Sequence, residues 1–176
     1  MELALKEVKT QAKKLLKSLK ANNNTTLATD FILQTTALTS LEQVKLKQCL
    51  TIVANQLGFE NWHHIQEILS GSKQVDKPLN MGTLFYPKGC GGFINEWFVD
   101  YQQAQKTLID CDSQKWLLPY KNQFIVVKED YIVMFNLNEK TKRLWPDIGY
   151  NLVKGYKSLA WDKVVCEIIK NRPRDY

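Results

Sequence analysis

Histidine, paired cysteine and long apolar runs are scarce in this chain of 176 residues, and each shortage removes a class of function. The two histidines, His63 and His64, are adjacent. The four cysteines, Cys49, Cys90, Cys111 and Cys166, lie far apart with no C-x-x-C pair. A zinc site built from Cys and His spacing therefore has no support, and neither metal nor cofactor is expected. No run approaches the roughly 20 apolar residues that span a bilayer. The opening stretch MELALKEVKTQAKKLLKSLK carries charge every few residues, unlike the apolar centre of a signal peptide. Widely spaced thiols and the absence of a targeting pattern lead to an expectation of a reducing cytoplasm and no membrane partner.

Charge discriminates less. The formal net charge is +6, but the excess is spread thinly. Residues 1–71 hold 8 Lys or Arg against 6 Asp or Glu, and residues 72–176 hold 16 against 12. Such a balance permits attraction to nucleic acid without requiring it. The hydrophobic fraction of 44% is that of a folded protein rather than a disordered tail.

Patterning divides the chain near residue 72. Val8, Ala12, Leu15, Leu16 and Leu19 recur at helical spacing, while Lys6, Lys9, Lys13, Lys17 and Lys20 fall on another face. ANNNTT breaks the pattern with turn-forming side chains. Thr39 and Glu42 then have the spacing of a capping box, and Leu46, Leu50, Val53 and Leu57 form an apolar stripe. Gly58 suits the left-handed position past a helix end, and Asn61 can cap a short helix burying Trp62, Ile65 and Leu69. SGSKQVDKPLN reads as a linker or crossover. Beyond it, GTLFYP reads as a strand stopped by Pro87. INEWFVDYQQAQKTL reads as a helix carrying Phe93, Trp97, Tyr101, Ala104 and Leu108 on one face. QFIVVKEDYIVMFNL reads as a hairpin turning at Lys128–Asp130. KSLAWDKVVCEIIKN offers Ser158 as a cap and Leu159, Val164, Val165, Ile168 and Ile169 as a buried stripe. The expectation is α+β: a helical unit over 1–71, then a small antiparallel sheet packed with two or more helices over 80–176.

Those residues carry a resemblance. VKTQAKKLLKSL followed by LKQCLTIVANQLGFENWHHI, with its basic QAKKL helix and its Ala54, Gly58, Phe59, Trp62 turn, resembles the small helical domain of glyoxalase-related bacterial proteins. YPKGCGGFINEWFVDYQQA, LLPYKNQFIVV and IGYNLVK look like a region found beside that domain. The resemblance implies a compact helical domain in which Gly58, Phe59 and Trp62 serve packing. It does not bring metal chemistry, because glyoxalases bind a divalent metal with His and Glu from paired modules, and this chain has one histidine pair and no module repeat.

Three site readings stand side by side. Cys90, between glycines in YPKGCGGF, has the setting of a thiol at a helix start, with Lys88 nearby to favour the thiolate. No histidine follows it, so His63 or His64 would have to act as its base. The plain alternative is a tight turn in which a small residue fits. The aromatic residues, interleaved with lysines, suggest recognition by stacking and cation–π contact, with Tyr86, Lys88, Asn95, Trp97, Tyr101, Trp116 and Tyr120 as candidate binding residues. Roofing of the sheet is their plain alternative. The helix–LGFEN–helix turn is superficially a helix-turn-helix, with helix packing as the default reading. The expected function is a binding or regulatory module without catalysis that recognises a protein or small ligand. A cysteine enzyme centred on Cys90 and a nucleic-acid binder using the basic first helix are the alternatives.

Overall fold

A computed structural model describes residues 2–21, 40, 43–71 and 79–173. The ANNNTT break from Asn22 onward, the Thr39/Glu42 box and most of the expected linker lie outside them. Helix α1 (Leu3–Lys20) buries Ala4, Val8, Ala12, Leu15 and Leu19 and turns its lysines outward, as its spacing requires. Helix α2 (Leu46–Gln56) begins where Gln48 Oε1 accepts from the Lys45 backbone N–H at 3.1 Å. Its buried face is Cys49, Ile52, Val53 and Ala54, rotated from the expected stripe; Leu46 is 36% exposed and Leu50 only partly buried. The helix closes in a Schellman turn, with Gly58 N–H donating to Asn55 O, Phe59 N–H donating to Ala54 O, and Gly58 at φ +87°. Asn61 Oδ1 caps α3 (Trp62–Ser70) through the His64 N–H, and Ile65 and Leu69 are buried. Trp62 is half-buried instead, with the Lys9 ammonium 6.0 Å from its ring centre.

The second stretch departs further from the expected elements. GTLFYP is a turn, not a strand: Gly82 has φ +57°, and Leu84 and Phe85 are both buried rather than alternating. The run from Ile94 divides in two. Strand β1 (Glu96–Phe98) comes first, and Asp100 then caps helix α4 (Tyr101–Ile109) by accepting from the Gln103 N–H at 2.9 Å. Trp and Phe before that cap suit an extended edge, which overrides the helical spacing read across it. The hairpin is β2 (Trp116–Tyr120) with β3 (Gln123–Val127), turning at Lys121 with φ +48°. The Lys128–Asp130 segment instead starts a short helix, α5 (Glu129–Val133). Two acidic residues at its first turn suit a helix start better than a hairpin bend.

Strand order is β1-β3-β2, all antiparallel. Alternation gives the sheet two buried faces: Trp116, Leu118, Ile125 and Val127 join the main core, while Leu117, Phe124 and Val126 meet Ala104 of α4 in a second cluster. Helices α6 (Glu139–Lys142) and α7 (Leu159–Asn171) complete the α+β architecture. Ser158 Oγ caps α7, as its sequence indicates, but Leu159 is 64% exposed, and the buried face gains Trp161 and Asp162.

Helix α7 binds the halves together. Its Asp162 carboxylate accepts from the backbone N–H groups of Glu2, Leu3 and Ala4 at 2.8–3.0 Å. Its Glu167 carboxylate accepts from Asn138 and from the Thr141 hydroxyl at the start of α6. Arg172, just past the helix, donates to the carbonyls of Thr83, Leu84 and Tyr86. One buried core consequently runs from α1 through the sheet to α7.

Candidate functional site

Cys90 opens a single 3-10 turn, Cys90–Gly92, rather than the start of a longer helix, and it is fully buried. Its neighbours are phenols. Burial first, and the adjacent Cys90 thiol second, hold the Tyr131 hydroxyl far above its ordinary range, and the same two causes raise Tyr86. Tyr131 donates to Phe85 O at 2.8 Å. The histidines have other partners. His64 is buried, with Nε2 2.7 Å from Asn80 O and Nδ1 accepting from the Glu60 N–H at 3.4 Å, so both ring nitrogens are engaged. The exposed His63 pairs with Glu67 at 3.4 Å.

Three of the candidate binding residues meet. Tyr86 lies 5.9 Å from Trp97 and 5.1 Å from Tyr120, and Trp97 meets Tyr120 edge-on at 5.2 Å. Lys121 stands over the Tyr120 ring at 5.6 Å. Trp97 is 45% exposed on edge strand β1; Asn95 nearby is half-buried and Lys88 exposed. Trp116 is on the same sheet face but belongs elsewhere, buried against Trp145 and Tyr150. Tyr101 lies on the opposite face, on α4, 5.5 Å from Phe124.

That opposite face holds a cavity of about 440 Å³. Phe124 and Pro119 of the hairpin form one wall, Tyr101 and Val99 at the head of α4 a second, and Val153 and Tyr156 a third. Leu79 and Met81 also line it, and Asp100 and Lys154 bring charge to it. Asn151, only 1% exposed, assembles these walls. Its Oδ1 accepts from the Val153 and Lys154 N–H groups at 2.9 Å, and its Nδ2 donates to the Tyr101 hydroxyl at 3.1 Å. Leu117 N–H donates to Tyr150 O and Leu152 N–H to Leu117 O, so the Asn151 turn is also tied to β2. Gly155 completes the turn, where a Cβ would press on Ile148. Of this group sequence reasoning reached only Tyr101. The missed signal is NLVKG, an Asn followed by Gly four residues on, the chemistry of a side-chain-bonded turn.

Away from the cavity, the half-buried Cys111 thiol lies 3.5 Å from Ser113 Oγ, and Lys115 pairs with Glu96 at 2.7 Å. Hydrogen bonding to Ser113, with help from Lys115, lowers the Cys111 pKa. Burial raises Cys49 to about 11 and raises Cys166 as well. No helix among the described residues is long and apolar enough to cross a membrane. Comparison with family models, curated proteins and solved structures finds no match to this chain.

Proposed function

We propose that this chain is a non-catalytic binding module that takes a small, largely apolar ligand between helix α4 and the β-hairpin. One observation carries the reading: a concave space of about 440 Å³ walled by Phe124, Pro119, Val153, Met81 and Tyr156, with few polar groups at its border. Ligand sites are typically concave, apolar and within roughly 300–1,000 Å³. Rigid elements build the walls, since Phe124 lies in the central strand and the Asn151 turn is held by three side-chain hydrogen bonds. Against catalysis stands the placement of Cys90, buried among phenols while both histidines bond to other groups. The same proposal keeps the glyoxalase-related relationship of the helical stretch and a cytoplasmic setting with reduced thiols.

Fluorescence titration with the neutral dye N-phenyl-1-naphthylamine tests it. Saturable enhancement at one site is expected, and Val153→Trp, which fills the cavity from a half-buried position, should abolish it. A linear, unsaturable signal, or equal binding by a folded Val153→Trp variant, refutes the reading.

A further inference from the structure

We infer that the ligand of this cavity is a small apolar monocarboxylate whose acid group is received by Lys154 and the Tyr101 hydroxyl. The inference rests on the cavity reading and adds the headgroup. Two residues of the lining, Lys154 and Tyr101, carry a hydrogen-bond donor with no acceptor among the described residues. Among the described residues the Lys154 ammonium has no ion-pair or hydrogen-bond partner, and the Tyr101 oxygen already accepts from Asn151, leaving its proton to donate. Both donors are referenced to one residue, because Asn151 fixes the Tyr101 oxygen with its amide nitrogen and the Lys154 backbone with its carbonyl. The acid at the same place, Asp100, keeps its charge but turns Oδ1 toward the first turn of α4, where it accepts from the Gln103 N–H as the cap. An acceptor bearing one negative charge suits two free donors, and the walls beyond them are hydrocarbon and aromatic. A neutral alcohol would gain no charge attraction from Lys154, and a ligand ammonium would meet Lys154 as a like charge with only the helix-capping Asp100 to offset it.

Three ligands with one apolar body separate headgroup from cavity: 3-phenylpropionate, 3-phenylpropan-1-ol and 3-phenylpropylamine, titrated at pH 7 by calorimetry and by protein-observed NMR. The acid should bind roughly fivefold tighter than the alcohol, the size of one partly solvated charge pair. In Lys154→Gln, an exposed change, that preference should fall below about twofold while the alcohol binds as before. Tyr101→Phe should also weaken the acid more than the alcohol. Equal binding of acid and alcohol, or preference for the amine, overturns the carboxylate inference and leaves the cavity reading standing. Failure of all three to shift Phe124 and Val153 resonances overturns both.

Discussion

Asp162 is the residue whose removal should cost this fold most for its size. It lies in the first turn of α7 and also receives the first amides of α1, so two positive helix ends converge on one carboxylate that is only 2% exposed. In Asp162→Ala, the Glu2 and Leu3 N–H groups belong to exposed residues and can return to water, which limits their loss. The Ala4 N–H is buried and is left without an acceptor, worth about 1–3 kcal/mol by itself. Loss of the cap and of the dipole interaction adds about 1–2 kcal/mol. The total is about 3 kcal/mol, or roughly 6–12 °C in melting temperature for a chain of this size. Asp162→Asn keeps an oxygen acceptor but turns an NH₂ toward N–H donors, so about half that loss is expected. Urea unfolding followed by far-UV circular dichroism measures both variants, and hydrogen exchange at Ala4 reports the bond directly. A loss below about 0.5 kcal/mol in Asp162→Ala would refute the reasoning. Because α1 and α7 share one core, far-UV and tryptophan signals should also unfold together; a separate early transition of α1 would make the 1–71 stretch an independent unit.

Other consequences are open to direct measurement. Gly58→Val should destabilise by about 3 kcal/mol or more, since φ +87° is strained for a β-branched residue and its Cβ would collide with Thr83, whereas Gly92→Ala meets nothing within 4 Å and should be neutral; equal effects would deny the close approach. Cys111 should react first with a thiol reagent at neutral pH, because its lowered pKa leaves more thiolate, and Ser113→Ala should move the pH–rate profile upward; a fast phase surviving Cys111→Ser would contradict this. Burial raises Tyr156 from about 10 to about 12 and Tyr131 further, so each favours the folded state fully below pH 10 and loses about 1.4 kcal/mol per pH unit above it, for Tyr156 until about pH 12; flat stability between pH 10 and 11.5 would be inconsistent. The lysine face of α1 should bind duplex DNA weakly at most, and only at low salt; tight binding at physiological salt would revive nucleic-acid recognition.

How far the sequence reveals this molecule depends on which interactions set each element. Helix α1 is legible because one hydrophobic stripe and one lysine face repeat over five turns, and the Gly58 turn because only a few backbone geometries follow a helix end. The run Phe93–Leu108 misleads because aromatic residues three and four apart satisfy a helix and a strand–cap–helix equally well. The decision lies in the pairing of Trp97 with Ile125 and in the Asp100 cap, one non-local and the other easily overlooked. The expected hairpin is displaced for a similar reason: β3 is one of two apolar runs around Lys128, and its partner proves to be WLLPY, which precedes it. Periodicity names the elements; pairing chooses among them.

The candidate site falls on the less legible side of that division. Its walls come from Met81, Pro119, Phe124, Val153 and Tyr156, distributed over most of the second stretch, and each alone reads as ordinary core. What fixes them around a cavity is Asn151, whose three hydrogen bonds set where the turn, tied to β2, and Tyr101, packed on Phe124, stand relative to each other. A polar side chain 1% exposed at such a junction must be fully bonded to be tolerated, and its bonds then fix every wall they touch. Asn151→Leu should accordingly cost about 2–3 kcal/mol and also abolish dye binding, whereas Asn151→Asp, which keeps both backbone bonds and can accept from the Tyr101 hydroxyl, should retain much of each. If Asn151→Leu folds and still binds the neutral dye as the wild type does, the cavity owes its shape to the surrounding core and Asn151 does not organise it.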